Sequence, residues 1–372
     1  MLPTQSPYGL RLAEVLPTCL SAIGVGQHPQ RFGTASIAVV IVVDGLGFAN
    51  LKRRSGYGRF LWGSRHERIE TVAPSTTGAA LTTLTTGTLP GQHGLIGYRI
   101  REPKSDRLVT TLSEWDGIDP VREWQRSATA FEAAAQAGVA SAVIGRQKHA
   151  ATGLTAAILT GAEYVPADSL AERFSAAESV VQRGQHKLVY VYVDELDREA
   201  HASGWESDAW AQKLELLDGE VRRFVAGLPG SVGVVLTADH GIIDVPQSQH
   251  LLYDEDPSLM EGIAEVGGEP RFRYLYLDAS GDADAVAATW QAAFGQKVLA
   301  VTRDAAVASG LFGEVTEDVL PRMGDVIVVA QNEVALYSAG ESDRVSRGMV
   351  GQHGGLSKQE LGVPLIRFGA FA

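Results

Sequence analysis

Cysteine is nearly absent from this sequence, since Cys19 is the only one among 372 residues. A single cysteine excludes an intrachain disulfide, and sparse cysteine is typical of proteins from a reducing compartment. Cys19 lies within residues 8–22, a stretch with the apolar periodicity of an amphipathic helix. Such a helix buries its apolar face, so we expect a buried structural thiol.

Long hydrophobic runs are missing as well. The longest apolar run, Ile37–Val43, has 7 residues, whereas a membrane-spanning helix needs about 20. The first residues contain no basic region followed by an apolar core and a cleavage site, because Arg11 and Glu14 interrupt the apolar pattern. We therefore expect a cytoplasmic protein with no membrane partner.

Positive charge is in deficit. The chain has 32 lysines and arginines against 44 aspartates and glutamates, a net charge of −12. The longest basic cluster is the short segment Lys52–Arg54. This balance disfavours nucleic acid polymers and anionic membranes as partners. It does not disfavour a small anionic substrate, because bound cations can reverse the local field.

The remaining composition, 45% hydrophobic and 20% charged with 41 glycines, suits a soluble globular protein with a large core. Ile37–Val43, Leu188–Val193 and residues 232–237 are continuous apolar runs rich in β-branched residues. Unbroken apolarity is typical of parallel strands that are covered on both faces. Helical patterns separate these runs, so the sequence predicts an α/β fold with a mostly parallel central sheet flanked by helices.

Residues 250–320 differ from the rest of the chain in their pattern of polar and apolar residues. A polar segment there is followed by a strand, a helix and a second strand pattern. We expect a small α+β insertion at 250–320 that caps a catalytic core formed by residues 1–249 and 321–372. The alternative is that this segment continues the central sheet.

Acidic residues and histidines follow several of the predicted strands directly. Asp44 ends the first strand, and Asp239 and His240 follow the strand at 232–237. In open α/β sheets, ligands bind at the carboxyl ends of the strands. Gly45 and Gly47 also fit the start of a dinucleotide-binding turn, but its third glycine is missing, and we regard that interpretation as weak.

A third strand end carries the same chemistry. Asp197 and His201 follow the strand Leu188–Val193 and are four residues apart, so a helix would present them on one face. His353 lies in a glycine-rich loop before the last strand pattern. A chance Asp/His pair on a solvated helix would explain Asp197 and His201 alone. It does not explain several strand ends with the same residue types.

Two groups of potential metal ligands result from this chemistry. Each group has three members and would leave open positions on a metal ion, which is typical of catalytic sites. Zinc suits imidazole with carboxylate, and manganese tolerates the same mixture. The two groups are Asp44, Asp239 and His240, and Asp197, His201 and His353.

A Pro-Ser-Thr-Thr segment at residues 74–77 precedes a small-residue helix that the pattern places at Gly78–Thr86, with Gly87 ending it. A hydroxyl at a helix N-terminus is commonly a cap. The same position suits a nucleophile, because free backbone N–H groups and the helix dipole favour a phosphoryl anion. The residue types leave both interpretations open.

Taken in order, these motifs resemble the alkaline phosphatase superfamily, in particular its nucleotide pyrophosphatase/phosphodiesterase branch. The resemblance rests on Asp44, the Pro-Ser-Thr-Thr segment, the D-x-x-x-H-x-x-G pattern of residues 197–204, the Asp-His-Gly triplet at 239–241 and the His-Gly-Gly loop at 353–355. It implies an alkaline phosphatase-like fold and the same six metal ligands.

The resemblance also implies a mechanism. Thr77 would be the catalytic nucleophile and would contact one of two divalent metal ions, zinc or alternatively manganese. It would attack phosphorus in line, assisted by both metals, and form a phosphothreonine intermediate. The implied activity is hydrolysis of a phosphodiester or pyrophosphate bond in a small-molecule phosphoester or nucleotide.

One position departs from the family pattern. Five residues after the histidine of the H-G-[ILV] motif the family commonly has an asparagine that holds a phosphoryl oxygen, but this sequence has Tyr98, followed by Arg99. We expect Tyr98 or Arg99 to supply the missing donor to the substrate; the alternative is that the loop is shifted relative to the family.

Other functions compete with this prediction. A phosphomonoesterase or phosphonate hydrolase would use the same site, and a non-catalytic metal- or nucleotide-binding protein would keep the scaffold without turnover. A sulfatase is disfavoured because no C/S-x-P-x-R segment is present, and a P-loop enzyme because no G-x-x-x-x-G-K-[ST] motif occurs. The sequence leaves the natural substrate and the oligomeric state open.

Overall fold

The computed structural model describes residues 10–118, 121–340 and 344–372. The strands are β1 (Ile37–Val43), β2 (Arg65–Glu70), β3 (Arg99–Glu102), β4 (Arg107–Thr110), β5 (Ser141–Gly145), β6 (Glu163–Pro166), β7 (Leu188–Val193), β8 (Val232–Thr237), β9 (Ile243–Asp244), β10 (His250–Leu252), β11 (Ile263–Glu269), β12 (Phe272–Leu277), β13 (Val298–Thr302), β14 (Val326–Ala330), β15 (Ala335–Tyr337), β16 (Gly351–Gln352) and β17 (Gly362–Gly369).

The α-helices complete the set of elements. They are α1 (Leu12–Ala22), α2 (Phe48–Arg53), α3 (Arg59–Gly63), α4 (Thr77–Thr86), α5 (Pro90–His93), α6 (Val121–Trp124), α7 (Ala130–Gln136), α8 (Gly153–Ile158), α9 (Leu170–Arg183), α10 (Glu195–Ser203), α11 (Asp208–Ala226), α12 (Ala283–Phe294), α13 (Arg303–Ala308) and α14 (Lys358–Leu361). None of the described helices is long and apolar enough to cross a membrane.

A seven-stranded sheet in the order β2-β17-β8-β1-β7-β5-β6 forms the centre of the molecule. The strands from β8 to β6 pair in parallel, and β17 runs antiparallel to both β8 and β2. Helices α1, α7 and α9 pack on strands of this sheet, while α4 and α11 pack on α1 and α9. The predicted fold class, a mostly parallel sheet flanked by helices, is confirmed.

Burial explains why the central strands are continuously apolar. All seven residues of β1 are buried, and β8 is buried along its whole length. A strand covered on both faces has no solvent side on which polar residues would alternate. Cys19 of α1 is fully buried, as the sequence predicts.

The carboxyl ends of three neighbouring strands form the edge of the sheet at which the polar residues collect. β1 lies between β7 and β8 and runs parallel to both. The chain therefore leaves all three strands at the same edge, with Asp44 after β1, Asp194 after β7 and Asp239 after β8. This is the crevice in which open α/β folds bind ligands.

A second, antiparallel sheet in the order β11-β12-β14-β13 lies beyond this edge. Helix α12 packs on β13 and β14. Val326 and Val328 of β14 contribute to a small core that also contains Trp290, whereas Ile327 and Val329 contribute to the main core. The second sheet is thus a layer between α12 and the main core.

Strand β14 shows how the second sheet relates to the predicted insertion. Residues 250–320 contain β12, α12 and β13, the strand, helix and strand that the sequence predicts, but also β10 and β11, which the sequence analysis did not predict. Strand β14 at Val326–Ala330 pairs with β12 and β13 rather than with the central sheet. Because β14 is buried on both faces, its apolar run has the same appearance as a central parallel strand. The second sheet therefore extends past residue 320, and the division into domains stays a prediction.

A fully buried ion pair joins the second sheet to the loop that carries His353. Arg271, in the turn between β11 and β12, donates from Nε to Glu360 Oε1 over 2.6 Å and from a terminal nitrogen to Oε2 over 2.9 Å. Glu360 also accepts from the backbone N–H of Gly355 over 2.8 Å. Burial raises the pKa of Glu360, but Arg271 and the hydrogen bonds outweigh it, so that the pKa lies below its ordinary value. The carboxylate is therefore ionised and paired.

We predict that Arg271→Met strongly destabilises the fold. Removing one partner leaves the Glu360 carboxylate buried without its counter-charge, which costs about 3–5 kcal/mol of unfolding free energy. Urea denaturation at pH 7 measures the change. The matched control is Arg223→Met, which removes a more exposed pair with Glu220 and should cost less than about 1 kcal/mol. Equal losses in the two variants would contradict the prediction.

Candidate active site

Asp44, Asp239 and His240 converge at the ends of β1 and β8. His240 Nε2 lies 3.3 Å from Asp44 Oδ1 and 3.5 Å from Asp239 Oδ2. Asp239 Oδ1 accepts hydrogen bonds from the backbone N–H of Gly45 at 3.2 Å and of His240 at 2.9 Å. These two backbone donors fix one carboxylate oxygen and leave the other, Oδ2, facing the cluster.

Asp197 and His201 extend this cluster from α10, the helix that follows β7. His201 Nε2 lies 3.2 Å from Asp197 Oδ2, as expected for residues one turn apart on one helix face. Close packing brings Asp197 up to the end of β1. Gly45 has a positive φ of 71°, and a Cβ there would lie 3.0 Å from the Asp197 Cβ, so glycine is required on both counts.

His353 completes the cluster from the loop before α14. Its ring stacks on that of His240 with a centroid separation of 3.7 Å, and it lies 5.3 Å from the His201 ring. Ligand atoms of Asp44, Asp239 and His240 all lie within 4.8 Å of one another, and so do those of Asp197, His240 and His353. The structure thus places all six predicted ligands in one contiguous site, with His240 at the junction of the two groups.

The three histidines share an orientation that suits metal binding. In each, Nδ1 lies within hydrogen-bond distance of a backbone carbonyl, which leaves Nε2 free to act as a ligand. Hydrogen-bond acceptors at Nδ1 fix the tautomer and raise the basicity of metal-binding imidazoles. The pairs are His201 with Gly351 at 2.8 Å, His240 with Gly241 at 3.2 Å, and His353 with Ser75 at 3.1 Å.

Among the described residues, three buried carboxylate oxygens of the cluster aspartates lack a hydrogen-bond partner. They are Asp44 Oδ1, Asp197 Oδ1 and Asp239 Oδ2. A buried acceptor without a partner is costly, and a cluster of three requires a compensating cation. The donor set of carboxylate oxygens and imidazole nitrogens fits a divalent transition metal such as zinc or manganese.

The pKa values of the cluster show the same excess of negative charge. Burial and the neighbouring Asp44 raise the pKa of Asp239 well above its ordinary value. Burial lowers the pKa of His240, but attraction to Asp239 and Asp44 outweighs it and raises the pKa to about 10. For His201, burial is likewise outweighed by Asp197, and its pKa rises to about 9. Protons on these imidazoles balance the carboxylates, and metal ions would displace them.

Thr77 is the hydroxyl residue that faces the cluster. It is the first residue of α4, is 8% exposed, and places Oγ1 3.1 Å from His240 Nε2. Thr76 occupies the N-cap position, without a hydrogen bond from its side chain to the helix backbone. Ser75 Oγ is used elsewhere, since it donates to the Gly355 carbonyl over 2.7 Å. The position of Thr77 favours the nucleophile over the cap.

Buried ion pairs hold the start of α10. Arg173, fully buried in α9, donates to Glu195, while Arg146 donates to Asp194 over 2.7 Å and to Glu195 over 2.9 Å. Asp194 is the N-cap residue of α10. Two arginines therefore clamp the turn between β7 and α10 and fix the helix that carries Asp197.

A cavity of about 370 Å³ opens onto the cluster. Its lining includes Thr77 and Tyr98, so the structure brings Tyr98 to the site, where burial raises the pKa of its hydroxyl. Arg99, the other predicted substrate-binding residue, is not among the described residues that line the cavity. Arg99 begins β3 and is exposed. Of this pair, Tyr98 alone lines the cavity.

Two further residues of the site were not predicted from the sequence. The hydroxyl of Tyr192, in β7, donates to Asp44 Oδ2. Glu269, at the end of β11, lines the cavity and hydrogen-bonds the Thr76 side chain, while its Oε1 has no partner among the described residues; burial raises its pKa to about 8. In the sequence, Glu269 is recognisable only as a carboxylate near the end of a strand. It reaches the site because the second sheet packs there, and residue types alone do not indicate that packing.

Comparison with known proteins agrees with this geometry. Residues 38–356 match the family model described as type I phosphodiesterase / nucleotide pyrophosphatase. A search of curated protein sequences gave no significant match.

Solved structures share the fold. Murine ectonucleotide pyrophosphatase / phosphodiesterase 5 superimposes with a TM-score of 0.70 at 15% identity, covering 90% of this chain and 88% of its own. Phosphonoacetate hydrolase from Sinorhizobium meliloti gives 0.71 at 21% identity, covering 92% of each chain. The family match spans most of the sequence and contains all six carboxylate and histidine positions of the cluster. The protein therefore belongs to the type I phosphodiesterase / nucleotide pyrophosphatase family, within the alkaline phosphatase superfamily.

Proposed function

We propose that the protein hydrolyses phosphodiester or pyrophosphate bonds in small phosphoesters or nucleotides, with Thr77 as the nucleophile and two divalent metal ions as cofactors. The observation that carries the proposal is the position of the Thr77 hydroxyl. It lies at the N-terminus of α4, 3.1 Å from His240 Nε2, beside three buried carboxylate oxygens that lack hydrogen-bond partners among the described residues.

The residues of the cluster divide into two sets of metal ligands. Two bound divalent cations, zinc or alternatively manganese, would lower the pKa of the Thr77 hydroxyl and offset the charge on the leaving oxygen. Asp44, Asp239, His240 and the Thr77 hydroxyl would hold one cation. Asp197, His201 and His353 would hold the other.

The chain's own groups direct the attack. Thr77 Oγ, having lost its proton to solvent, forms a bond to phosphorus while the bond to the leaving oxygen breaks, which gives a phosphothreonine and a leaving group that takes up a proton from water. The first backbone N–H groups of α4 have no partner within the helix and point toward the developing phosphoryl charge. Water then cleaves the phosphothreonine and regenerates Thr77. Tyr98, which lines the cavity, would donate its hydroxyl to a phosphoryl oxygen in place of the family's asparagine.

Two other functions use parts of the same site. The murine neighbour has been solved with AMP bound to an inactive form, and the bacterial neighbour with phosphonoacetate, so both neighbours take small phosphorus-containing ligands. These complexes support a small-molecule substrate and keep a phosphonate hydrolase or a phosphomonoesterase as the second candidate. A binding protein without turnover would need the metal ligands but not the hydroxyl of Thr77.

Cellular location is a separate part of the proposal. We infer a cytoplasmic protein from the single cysteine, which is buried, and from the acidic composition. The same composition supports a small-molecule partner rather than a nucleic acid or a membrane.

We predict that the zinc- or manganese-loaded protein hydrolyses bis-p-nitrophenyl phosphate faster than p-nitrophenyl phosphate. Apolar side chains, among them Leu81 and Val143, line the cavity beside Thr77, so the second ester group of a diester gains contacts that a monoester lacks. The ratio of kcat/KM for the two substrates measures the preference, and a chelator should abolish both activities. A higher kcat/KM for the monoester would instead identify the protein as a phosphomonoesterase.

Thr77→Ala should lose turnover and keep the metals. Removal of an essential nucleophile should lower kcat by at least about 1000-fold, while Thr77→Ser, which keeps a hydroxyl, should retain measurable turnover. Steady-state kinetics and metal analysis of both variants check this. If Thr77→Ala remains active, the nucleophile is another residue, with Ser75 and Thr76 the next to be tested.

Metal stoichiometry should fall by one ion per chain in each of two variants, Asp239→Asn and Asp197→Asn. Each change removes a ligand from a different set. Loss of a residue that only orients a metal ligand lowers metal affinity by up to about 100-fold, so we expect loss of a ligand itself to lower the affinity of its set by more than that. Titration calorimetry with zinc measures the number of bound ions and their affinity in both variants. Asp208→Asn, on the exposed start of α11, is the control and should bind two ions. Two ions in either ligand variant would contradict the assignment.

A further inference from the structure

The cavity beside Thr77 continues away from the metal ligands into a part whose walls are mostly apolar, with Lys148 and His149 also in the lining of the cavity. It passes between α4, the end of β5 and α8. We name this part the aliphatic pocket. Its walls are the side chains of Leu81, Leu112, Val143, Leu154, Ile158 and Leu159.

The hydroxyls around the aliphatic pocket are already used by the protein. Thr155 Oγ1 donates to the backbone carbonyl of His149 over 2.7 Å, and Thr152 Oγ1 lies 3.1 Å from Thr155 Oγ1. The Tyr164 hydroxyl donates to the Arg146 carbonyl over 2.8 Å. A ligand here would meet few free donors or acceptors, so the pocket is poorly suited to the polar edge of a nucleobase.

Carboxyl groups in the cavity are concentrated at its other end. Asp44, Asp197 and Glu269 lie around Thr77, where the metals and the phosphoryl group would bind. Val143 and Ile158 are nearly inaccessible to solvent although they line the cavity. Protein interiors are normally packed without voids of this size, so an open apolar space joined to a reactive hydroxyl indicates a ligand-binding compartment.

We propose that the aliphatic pocket binds an alkyl group attached to the substrate's phosphorus centre, so that the enzyme acts on phosphoesters or phosphonates of aliphatic compounds. The inference rests on the proposed function, because it assumes that the phosphoryl group lies at Thr77 and the metals. It adds the chemical class of the substrate. The polarity of such a molecule, anionic at one end and hydrocarbon at the other, matches the polarity of the cavity.

Binding of a series of n-alkylphosphonates tests the proposal without requiring turnover. Methyl-, butyl-, hexyl- and octylphosphonate carry a single organic group, so the group that enters the pocket is unambiguous. Burial of each methylene should tighten binding by up to about fourfold, which corresponds to roughly 0.8 kcal/mol, until the pocket is full. Titration calorimetry of the zinc-loaded protein gives Kd along the series.

Two variants locate the effect. Leu154→Gln and Leu159→Gln change half-buried positions on the wall of the pocket, and each should flatten the dependence of Kd on chain length while leaving the Kd of methylphosphonate unchanged. Leu216→Gln is the matched control, because Leu216 lies on α11 with 59% of its surface exposed, and it should preserve the dependence.

The possible results separate this inference from the proposed function. Equal Kd values along the series would overturn the alkyl assignment. Tight binding of AMP that is weakened by the same two leucine variants would assign the pocket to a nucleobase and also overturn it. A chain-length dependence without hydrolysis of any diester would support the pocket and refute the proposed activity. Diester hydrolysis together with Kd values that do not depend on chain length would support the proposed activity and overturn the alkyl assignment.

Discussion

Repulsion among buried carboxylates is the constraint on which the rest of the site depends. Asp44 and Asp239 come from adjacent strands, Asp197 comes from the helix after the third, and each has an oxygen without a hydrogen-bond partner in the described chain. Such a group is tolerated only where positive charge compensates it. Without metal, that charge must come from the protons on His201 and His240, whose pKa values are raised to about 9 and about 10.

The same constraint links metal binding to stability. Metal ions bind the folded cluster, where the ligands already lie together, and bind weakly to an unfolded chain in which they are far apart in sequence. Binding must displace the imidazole protons, so metal affinity rises as the pH increases toward the raised pKa values of the histidines. The buried Arg271–Glu360 and Arg173–Glu195 pairs hold the surrounding loops in place while the cluster itself contributes repulsion.

Much of this arrangement can be predicted from the sequence because it follows from local patterns. A strand covered on both faces must be apolar throughout, so β1 and its end at Asp44 are visible in the residue types. The helical spacing of Asp197 and His201 similarly places them on one face, and the structure brings both to the cluster. Local patterns did not decide between Tyr98 and Arg99 as the substrate contact. Tyr98 lines the cavity and Arg99 does not, and this depends on the twist and position of one short strand.

What the sequence does not reveal is contact between distant segments. Glu269 and Thr76 are far apart in the chain, and their hydrogen bond exists only because the second sheet lies against the edge of the first. Strand β14 shows the same limit, since burial on both faces gives it the same composition as a central strand. Backbone carbonyls that orient the histidines leave no trace in residue identity at all.

The second sheet therefore has a role that its position in the sequence conceals. Its β11–β12 turn brings Glu269 to the cavity and Arg271 to Glu360, which in turn holds the backbone of Gly355 next to His353. A displacement of this turn would alter the charge that faces the substrate and the position of a metal ligand together. In the proposed site, this one short turn would couple substrate selection to metal binding. Relatives that share the central sheet can differ in substrate by changing this layer while they keep the carboxylate cluster intact.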